Sequence, residues 1–395
     1  MEKLEIELFS SATDTDADKD LGGRQPDVLV IDKSFLDEYF SQFEETVKLH
    51  PGLKFVPVVY LGTRDDKGIR SLVQFNSCQV VKDEDSLLDA VSELLVPSVR
   101  VRFWGVRGST PCANFENIEY GGNTSCLEIA APGMDELLIF DSGTGIRNLG
   151  NHLERLDEIS CKGHIFITHP HWDHIQGFPF FKPFYSSKNK FTIHLPEQYR
   201  GGAQEILSGH LTKTFFPVTL DMLDATIEYV TQKEERVDYG HYSIEYFVAN
   251  HSTKTAIYKI RIGGRVIVYA SDNELPLKTT PIRFVEKFQE FVKDADILIH
   301  DAQYTLQQYK EREGWGHSAW ERVIEVVKPT GVKNLYLTHH DPDTNDAELE
   351  RRDRRLQQYV GAPFDKICLT REGAEIRMPV KKPESVLKKG KAKVS

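Results

Sequence analysis

Short apolar runs that stop abruptly at a polar or titratable residue recur along most of the chain. Ile165-Phe166-Ile167, β-branched and aromatic, reads as a buried strand that ends at Thr168-His169. Tyr242 to Val248 ends near Asn250-His251, Arg265 to Ala270 ends in Ser271-Asp272, Ile297-Leu298-Ile299 ends in His300-Asp301, and Leu335-Tyr336-Leu337 ends in Thr338-His339-His340. Upstream, Val99 to Trp104 alternates as a strand and leads into the glycine-rich turn Gly105 to Pro111. Gly121-Gly122-Asn123-Thr124 opens the strand Ser125 to Ala130, and Glu136 to Phe140 runs into Asp141-Ser142-Gly143-Thr144-Gly145. In layered α/β folds, strand C-termini converge on one edge of the sheets, and sites assemble there. A single His251 or Asp272 would more often be a structural residue; their shared placement at strand ends is what points to a site.

The first hundred residues have a different texture. A short strand, Leu4 to Leu8, precedes a polar, acidic, glycine-containing loop over 11–25. Then strands Val28 to Ile31, Phe55 to Leu61 and Gln79 to Val81 alternate with helical spacing over Phe35 to Leu49 and Asp85 to Leu95. Pro97 closes this unit. The expected organisation is an α/β domain over 1–97, a larger α/β domain over 99–378, and a disordered basic tail over 379–395, lysine-rich from Lys381.

Length agrees with that division, since 395 residues exceed one average domain. Hydrophobic content of 40% supplies a sizeable core. A net charge of -11 argues against a surface that coats nucleic acid, which needs basic patches, though a bound metal supplies positive charge locally. The start carries no basic-then-apolar leader and no apolar run is long enough to span a bilayer, so a cytoplasmic protein is expected. Five scattered cysteines without a Cys-x-x-Cys pair fit reduced thiols and argue against a cysteine-ligated metal.

The chemistry concentrates in Gly163 to Gly177, where His169, His171, Asp173 and His174 fall within six positions. Pro170 disfavours a regular helix, so these side chains are expected to fan out from a tight loop at a strand end. Neutral imidazoles with a carboxylate are the donor set of borderline-soft divalent metals such as zinc. Trp172, inside the cluster, reads as a wall of the pocket.

Two resemblances follow from these residues. The segment with Asp32 at a strand end, Pro57 to Thr63 as the next strand and Lys82 beyond it resembles the second half of a response-regulator receiver domain. The acidic pair that holds magnesium in receivers has no match, which implies a degenerate receiver used for packing or dimerisation. The run His169-x-His171-x-Asp173-His174, followed in order by His251, Asp272 and His339, resembles the metallo-β-lactamase fold family of metallohydrolases over 99–378. That resemblance implies a four-layered αββα sandwich and two divalent metal ions, with zinc first and manganese or iron as alternatives. It implies His169, His171 and His251 around one ion, Asp173, His174 and His339 around the other, and Asp272 between them. His340 competes with His339 for the last place. Asp141 resembles the family's buried aspartate that supports the metal loop.

Within that family, Ile299 to Thr305 followed by Gly314-Trp315-Gly316-His317-Ser318 resembles the phosphodiesterase branch, related to ribonuclease Z and cyclic-phosphate diesterases. The resemblance implies that Asp301 orients His317 and that His317 protonates the leaving alkoxide or steadies the phosphoryl oxygens. Asp173, His317 and Asp301 are accordingly the expected catalytic residues. A competing structural role is that Gly316-His317-Ser318 caps a helix starting near Ala319, with Ser318 as N-cap. Phe103 to Pro111 and Gly121 to Ser125 resemble a bacterial subgroup in which Arg107 and Asn123 line the pocket. The function implied is a dinuclear metal-dependent hydrolase of a cyclic nucleotide or other small phosphodiester, in which two ions acidify a shared water. The alternatives are a metallohydrolase of lactones or thioesters, and a signalling scaffold with a vestigial metal site. The expected partner is a small ester substrate, with neither membrane nor general nucleic-acid binding, and a homodimer is compatible.

Overall fold

The computed structural model describes residues 28–34, 58–63, 78–155, 160–199, 201–233, 236–277, 282–361 and 363–381. The expected strand Leu4 to Leu8, the loop 11–25, the helix Phe35 to Leu49 and residues 382–395 of the expected tail lie outside them, whereas Pro379, Val380 and Lys381, expected in that tail, are tied into the fold through β17 and backbone bonds to Pro97 and Gly263. Near the start, β1 (Leu29–Asp32), β2 (Val58–Leu61) and β3 (Cys78–Val81) form a parallel sheet in that order, and the helix Glu84–Leu95 packs Ala90, Val91 and Leu94 against Val59.

Two seven-stranded sheets make up the rest. In chain order the first holds β4 (Ser98–Gly105), β5 (Cys126–Ala130), β6 (Leu137–Phe140), β7 (Lys162–Phe166), β8 (Lys190–Pro196) and β9 (Thr226–Gln232). The second holds β10 (Val237–Asp238), β11 (Tyr242–Val248), β12 (Ala256–Ile262), β13 (Arg265–Ala270), β14 (Ile297–Asp301), β15 (Asn334–Thr338) and β16 (Lys366–Leu369). The last strand, β17 (Glu375–Pro379), returns to the first sheet beside β4. Each sheet begins as an antiparallel meander and becomes parallel, from β6 to β9 in one and from β13 to β16 in the other.

The near-continuous apolar runs follow from burial of both sheet faces. Along β13, Ile267 and Tyr269 face the space between the sheets, whereas Val268 and Ala270 face the helices Ile282–Val292 and Trp320–Val327. Ile297 and Ile299 of β14 and Tyr336 of β15 also point inward, and Leu298, Leu335 and Leu337 point outward. On the other sheet Phe140 and Phe166 meet the inner core, while Ile139, Ile165 and Ile167 cover the helix Ile146–Arg155 and the Phe178/Phe181/Phe184 cluster. The result is the four-layered αββα sandwich. Among the described residues, no helix is long and apolar enough to cross a membrane.

This topology places the site. The parallel strands β6 and β7 release the chain at Asp141 and His169; β13, β14 and β15 release it at Asp272, Asp301 and His339 on the facing sheet. β11, antiparallel to β12 as β13 is, releases His251 on the same edge.

Candidate metal centre

The loop after β7 departs from the sequence expectation in one respect. His171, with φ -64° and ψ 151°, caps a single helical turn, Trp172–Ile175, so Asp173 and His174 project from a helix start rather than an irregular loop. Pro170 precedes the cap, where its missing N–H costs no helical hydrogen bond, and the turn needs only the residues after it.

Five loops, those after β7, β11, β13, β14 and β15, bring the expected donors together. His169, His171 and His251 place one nitrogen each within 4.8 Å of one another, as do the ligand atoms of His169, His174 and Asp272, of Asp173, His174 and His339, and of Asp272, His317 and His339. Asp272 is common to both sides: its Oδ1 lies 3.3 Å from His339 Nε2 and 3.9 Å from both His169 Nε2 and His251 Nε2, and its Oδ2 lies 3.1 Å from His174 Nε2. Asp173 Oδ2 takes the N–H of Ser109 at 2.7 Å and lies 3.1 Å from His339 Nε2. His340 faces the other way, donating Nε2–H to the Thr370 carbonyl at 2.8 Å, so of the two adjacent histidines it is His339 that reaches the cluster.

Polar atoms in the cluster lack hydrogen-bond partners although fully buried: His174 Nε2 and Asp272 Oδ2 face each other without a hydrogen bond. An unsatisfied buried donor or acceptor costs about 1–3 kcal/mol, so two converging on one point fit a cation held between them. The protonation preferences of five of these groups agree. Burial, reinforced by His251, pushes the His171 imidazole down to about 4, and burial holds His169 and His251 below the ordinary histidine range. Burial opposes the charge on Asp272 and Asp173, but the surrounding imidazoles hold both carboxyls well below their usual range. Burial also opposes protonation of His339, yet Asp272 and Asp173 push it up to about 9. Neutral imidazoles and ionised carboxylates are the ligating forms, so His169, His171, His251, Asp173 and Asp272 are poised to ligate, whereas His339 and His174, both raised against their burial by the neighbouring carboxylates, would release a proton when a cation binds.

Support for the cluster is built from strained backbone and buried polar groups. Ser109, Asp141 and His339 have φ of 62°, 61° and 63°, a left-handed conformation rare without glycine, and all three sit at the cluster. Asp141 accepts the Thr168 N–H at 2.7 Å and the Tyr269 O–H at 2.9 Å, and lies 2.9 Å from His174 Nδ1. The side chain thus fixes which nitrogen of His174 points inward. Asp141→Asn is expected to weaken metal binding about ten- to a hundredfold while the fold persists; competition with a chromophoric chelator measures it.

Beside the cluster, His317 Nδ1 lies 2.7 Å from Asp301 Oδ2, and the His317 ring stacks on His339 at 4.8 Å between centroids. Ser318 does not cap the following helix. Ala319 occupies the cap, and the Ser318 hydroxyl instead donates to the Asn273 carbonyl at 2.5 Å and accepts the Leu275 N–H, so the purely capping role for this segment is corrected. Arg107 and Asn123 do not line a pocket either. Arg107 is fully buried, donating to the carbonyls of Gly121, Asp341 and Thr344, and Asn123 donates to Glu372; both pin loops against each other. Trp172 is 75% exposed and stands at the rim beside His171.

Sequence reasoning passed over two supports. The Ser109 N–H on Asp173 depends on backbone conformation, which side-chain identity does not report. Glu274, buried two residues beyond Asp272, accepts the Tyr309 O–H at 2.5 Å, the Gly314 N–H at 2.7 Å and the Gly316 N–H at 2.8 Å. The Gly316 carbonyl in turn accepts His251 Nδ1–H at 3.0 Å. Gly316 has φ +88°, and a Cβ there would collide with the His251 ring, so glycine is required on both counts. The Gly-Trp-Gly spacing was the available signal.

Residues 138–340 match the family model described as the beta-lactamase superfamily domain. The ribonuclease Z of Haloarcula marismortui is 24% identical over 327 residues, covering 71% of this chain and 97% of that protein. Among solved structures, the metallo-beta-lactamase fold protein YhfI from Bacillus subtilis superposes with a TM-score of 0.51 at 18% identity, over 71% of this chain and all of YhfI. Unliganded yeast PDE1 gives 0.52 at 14% identity, over 71% of this chain and all of PDE1.

Proposed function

Because this chain belongs to the β-lactamase superfamily and is a hydrolase of the metallo-β-lactamase fold, we propose that it is a dinuclear metal-dependent phosphodiesterase acting on a cyclic nucleotide or another small phosphodiester. The observation that carries the reading is the His317–Asp301 pair, 2.7 Å apart, set against the His339 and Asp272 side of the cluster. A phosphodiester differs from a lactone or thioester in expelling a strongly basic alkoxide, and a placed acid is what that departure requires. The relative named ribonuclease Z supports that choice.

In this reading His169, His171 and His251 hold one ion, Asp173, His174 and His339 hold the other, and Asp272 reaches both sets. When bound, two divalent ions polarise phosphoryl oxygens and acidify water at neutral pH, and zinc, manganese and iron all suit this donor set. Asp173, anchored by the Ser109 N–H, keeps its carboxylate turned to the reacting face. Asp301 accepts Nδ1–H from His317 and stabilises the imidazolium, which then donates from Nε2 to the departing oxygen. We further propose that the unit over 1–97, of which the parallel sheet β1-β2-β3 and the helix Glu84–Leu95 are described, serves packing or dimerisation beside a hydrolase domain over 99–378.

The test is a substrate panel on protein stripped with chelator and reloaded with zinc, manganese or iron(II), beside a His171→Ala control. Metal-dependent hydrolysis of bis-p-nitrophenyl phosphate or cyclic nucleotides, lost in the control, supports the reading. Turnover confined to lactones or thioesters removes the phosphodiesterase assignment and keeps the metallohydrolase.

A further inference from the structure

A tryptophan normally packs its large ring inside the fold, and Trp320, fully buried, does so here. Trp315 does the opposite: 62% of it is exposed, although the loop around it is held by buried bonds. Both neighbours of Trp315, Gly314 and Gly316, adopt left-handed backbone, with φ +87° and +88°. Both donate their N–H groups to the one buried carboxylate of Glu274, which the Tyr309 hydroxyl also fixes. Trp315 is therefore the apex of a clamped turn, its position set by the fold before anything binds. The Trp315 N–H closes the turn on the Arg312 carbonyl at 3.1 Å.

The surroundings of that indole give it a chemistry. The Arg312 guanidinium lies 5.9 Å from the Trp315 ring and 5.1 Å from the Tyr304 ring. Tyr304 in turn meets His317 edge-on at 6.0 Å between centroids. One residue beyond Trp315, the Gly316 carbonyl orients His251; two residues beyond, His317 faces Asp301. A ring left 62% exposed, with a cation over one face and two residues before His317 in the chain, suits a flat heteroaromatic ring attached to a phosphate. Such rings stack without their edges being read, and arginine contributes through its planar charge.

We propose that the turn 312–316 selects the substrate: Trp315 stacks the nucleobase carried by one arm of the diester, Arg312 flanks that ring, and Glu274 is the positioning residue that presents them. This rests on the phosphodiesterase reading above and narrows it to diesters bearing a nucleoside. Selection is by the presence of a base, with little preference among bases, since stacking is sequence-tolerant.

The experiment compares two substrates with the same scissile bond and leaving group, thymidine 5′-(p-nitrophenyl phosphate) and methyl p-nitrophenyl phosphate, on the metal-loaded full chain. Wild-type protein is expected to prefer the nucleoside ester. In Trp315→Ala that preference falls about tenfold, chiefly through KM for the nucleoside ester, while Trp315→Phe keeps most of it. Metal content measured on each variant shows whether the centre is intact. Equal losses on both esters, or no change on either, overturn the proposal and leave the phosphodiesterase reading standing. A shift in sedimentation on mutating Trp315, with the preference unchanged, assigns the indole to contact between copies and also overturns it. If wild-type protein hydrolyses neither ester, nor any other diester, both readings fall together.

Discussion

Asp272→Ala protein is expected to bind less than one equivalent of metal and to lose diester hydrolysis by about a thousandfold or more. The reason lies in geometry. Asp272 leaves β13 at its C-terminus, is fully enclosed, and is the one carboxylate whose oxygens approach His169 and His251 on one side and His174 and His339 on the other. Removing it leaves His169 and His251 without a carboxylate beside them, leaves only Asp173 beside Nε2 of His174 and of His339, and deletes the group shared by both halves of the ligand set. Loss of several kcal/mol of charge stabilisation corresponds to that fall in rate. Metal analysis and kinetics on the same sample check it. Full metal occupancy with near-normal turnover would show that the two halves hold their ions independently of Asp272.

His317→Ala carries the second large effect, and its size should depend on the leaving group. With an alkyl or nucleoside leaving group, the departing oxygen is strongly basic and a positioned acid is worth about a hundred- to ten-thousandfold. With p-nitrophenolate, a weak base that leaves unaided, the same substitution should cost only about tenfold or less. Metal content should stay unchanged, because the two proposed ligand sets, His169/His171/His251 and Asp173/His174/His339 with Asp272 between them, do not include His317. Asp301→Asn should reproduce the pattern in weaker form, since an amide still orients the ring but no longer stabilises its charge. A loss equal for both leaving groups would assign His317 to metal or phosphoryl binding instead of proton donation.

Much of this centre was legible in the chain itself. Strand-end residues are readable because a buried parallel strand must be apolar on both faces, so the first polar residue after it marks the sheet edge. Arg265 to Ala270 is bounded by that rule, whereas Tyr242 to Val248, antiparallel and carrying Ser243 and Glu245, is bounded by the polar Asn250-His251 that follows it. Histidine 339 was distinguished from histidine 340 by the repeated Thr-His step after β7 and β15. What escaped depends on backbone direction or distant partners. The buried Arg107 reads as a pocket residue because sequence does not reveal that Gly121, Asp341 and Thr344 turn their carbonyls toward its guanidinium. The helical turn at Trp172 was hidden by Pro170, whose prohibition ends with the residue before the turn begins. Glu274 went unnoticed because its partners lie 35 to 42 positions downstream.

The two sheets each contribute a meander followed by parallel strands, and neither holds the whole donor set: His169, His171, Asp173 and His174 hang from one, and His251, Asp272 and His339 from the other. A cation at that seam acts as a rivet between two halves that the chain must otherwise keep together through apolar contact. Since a ligand that favours the assembled state raises its stability by mass action, the protein's resistance to unfolding should track the free metal concentration of its surroundings.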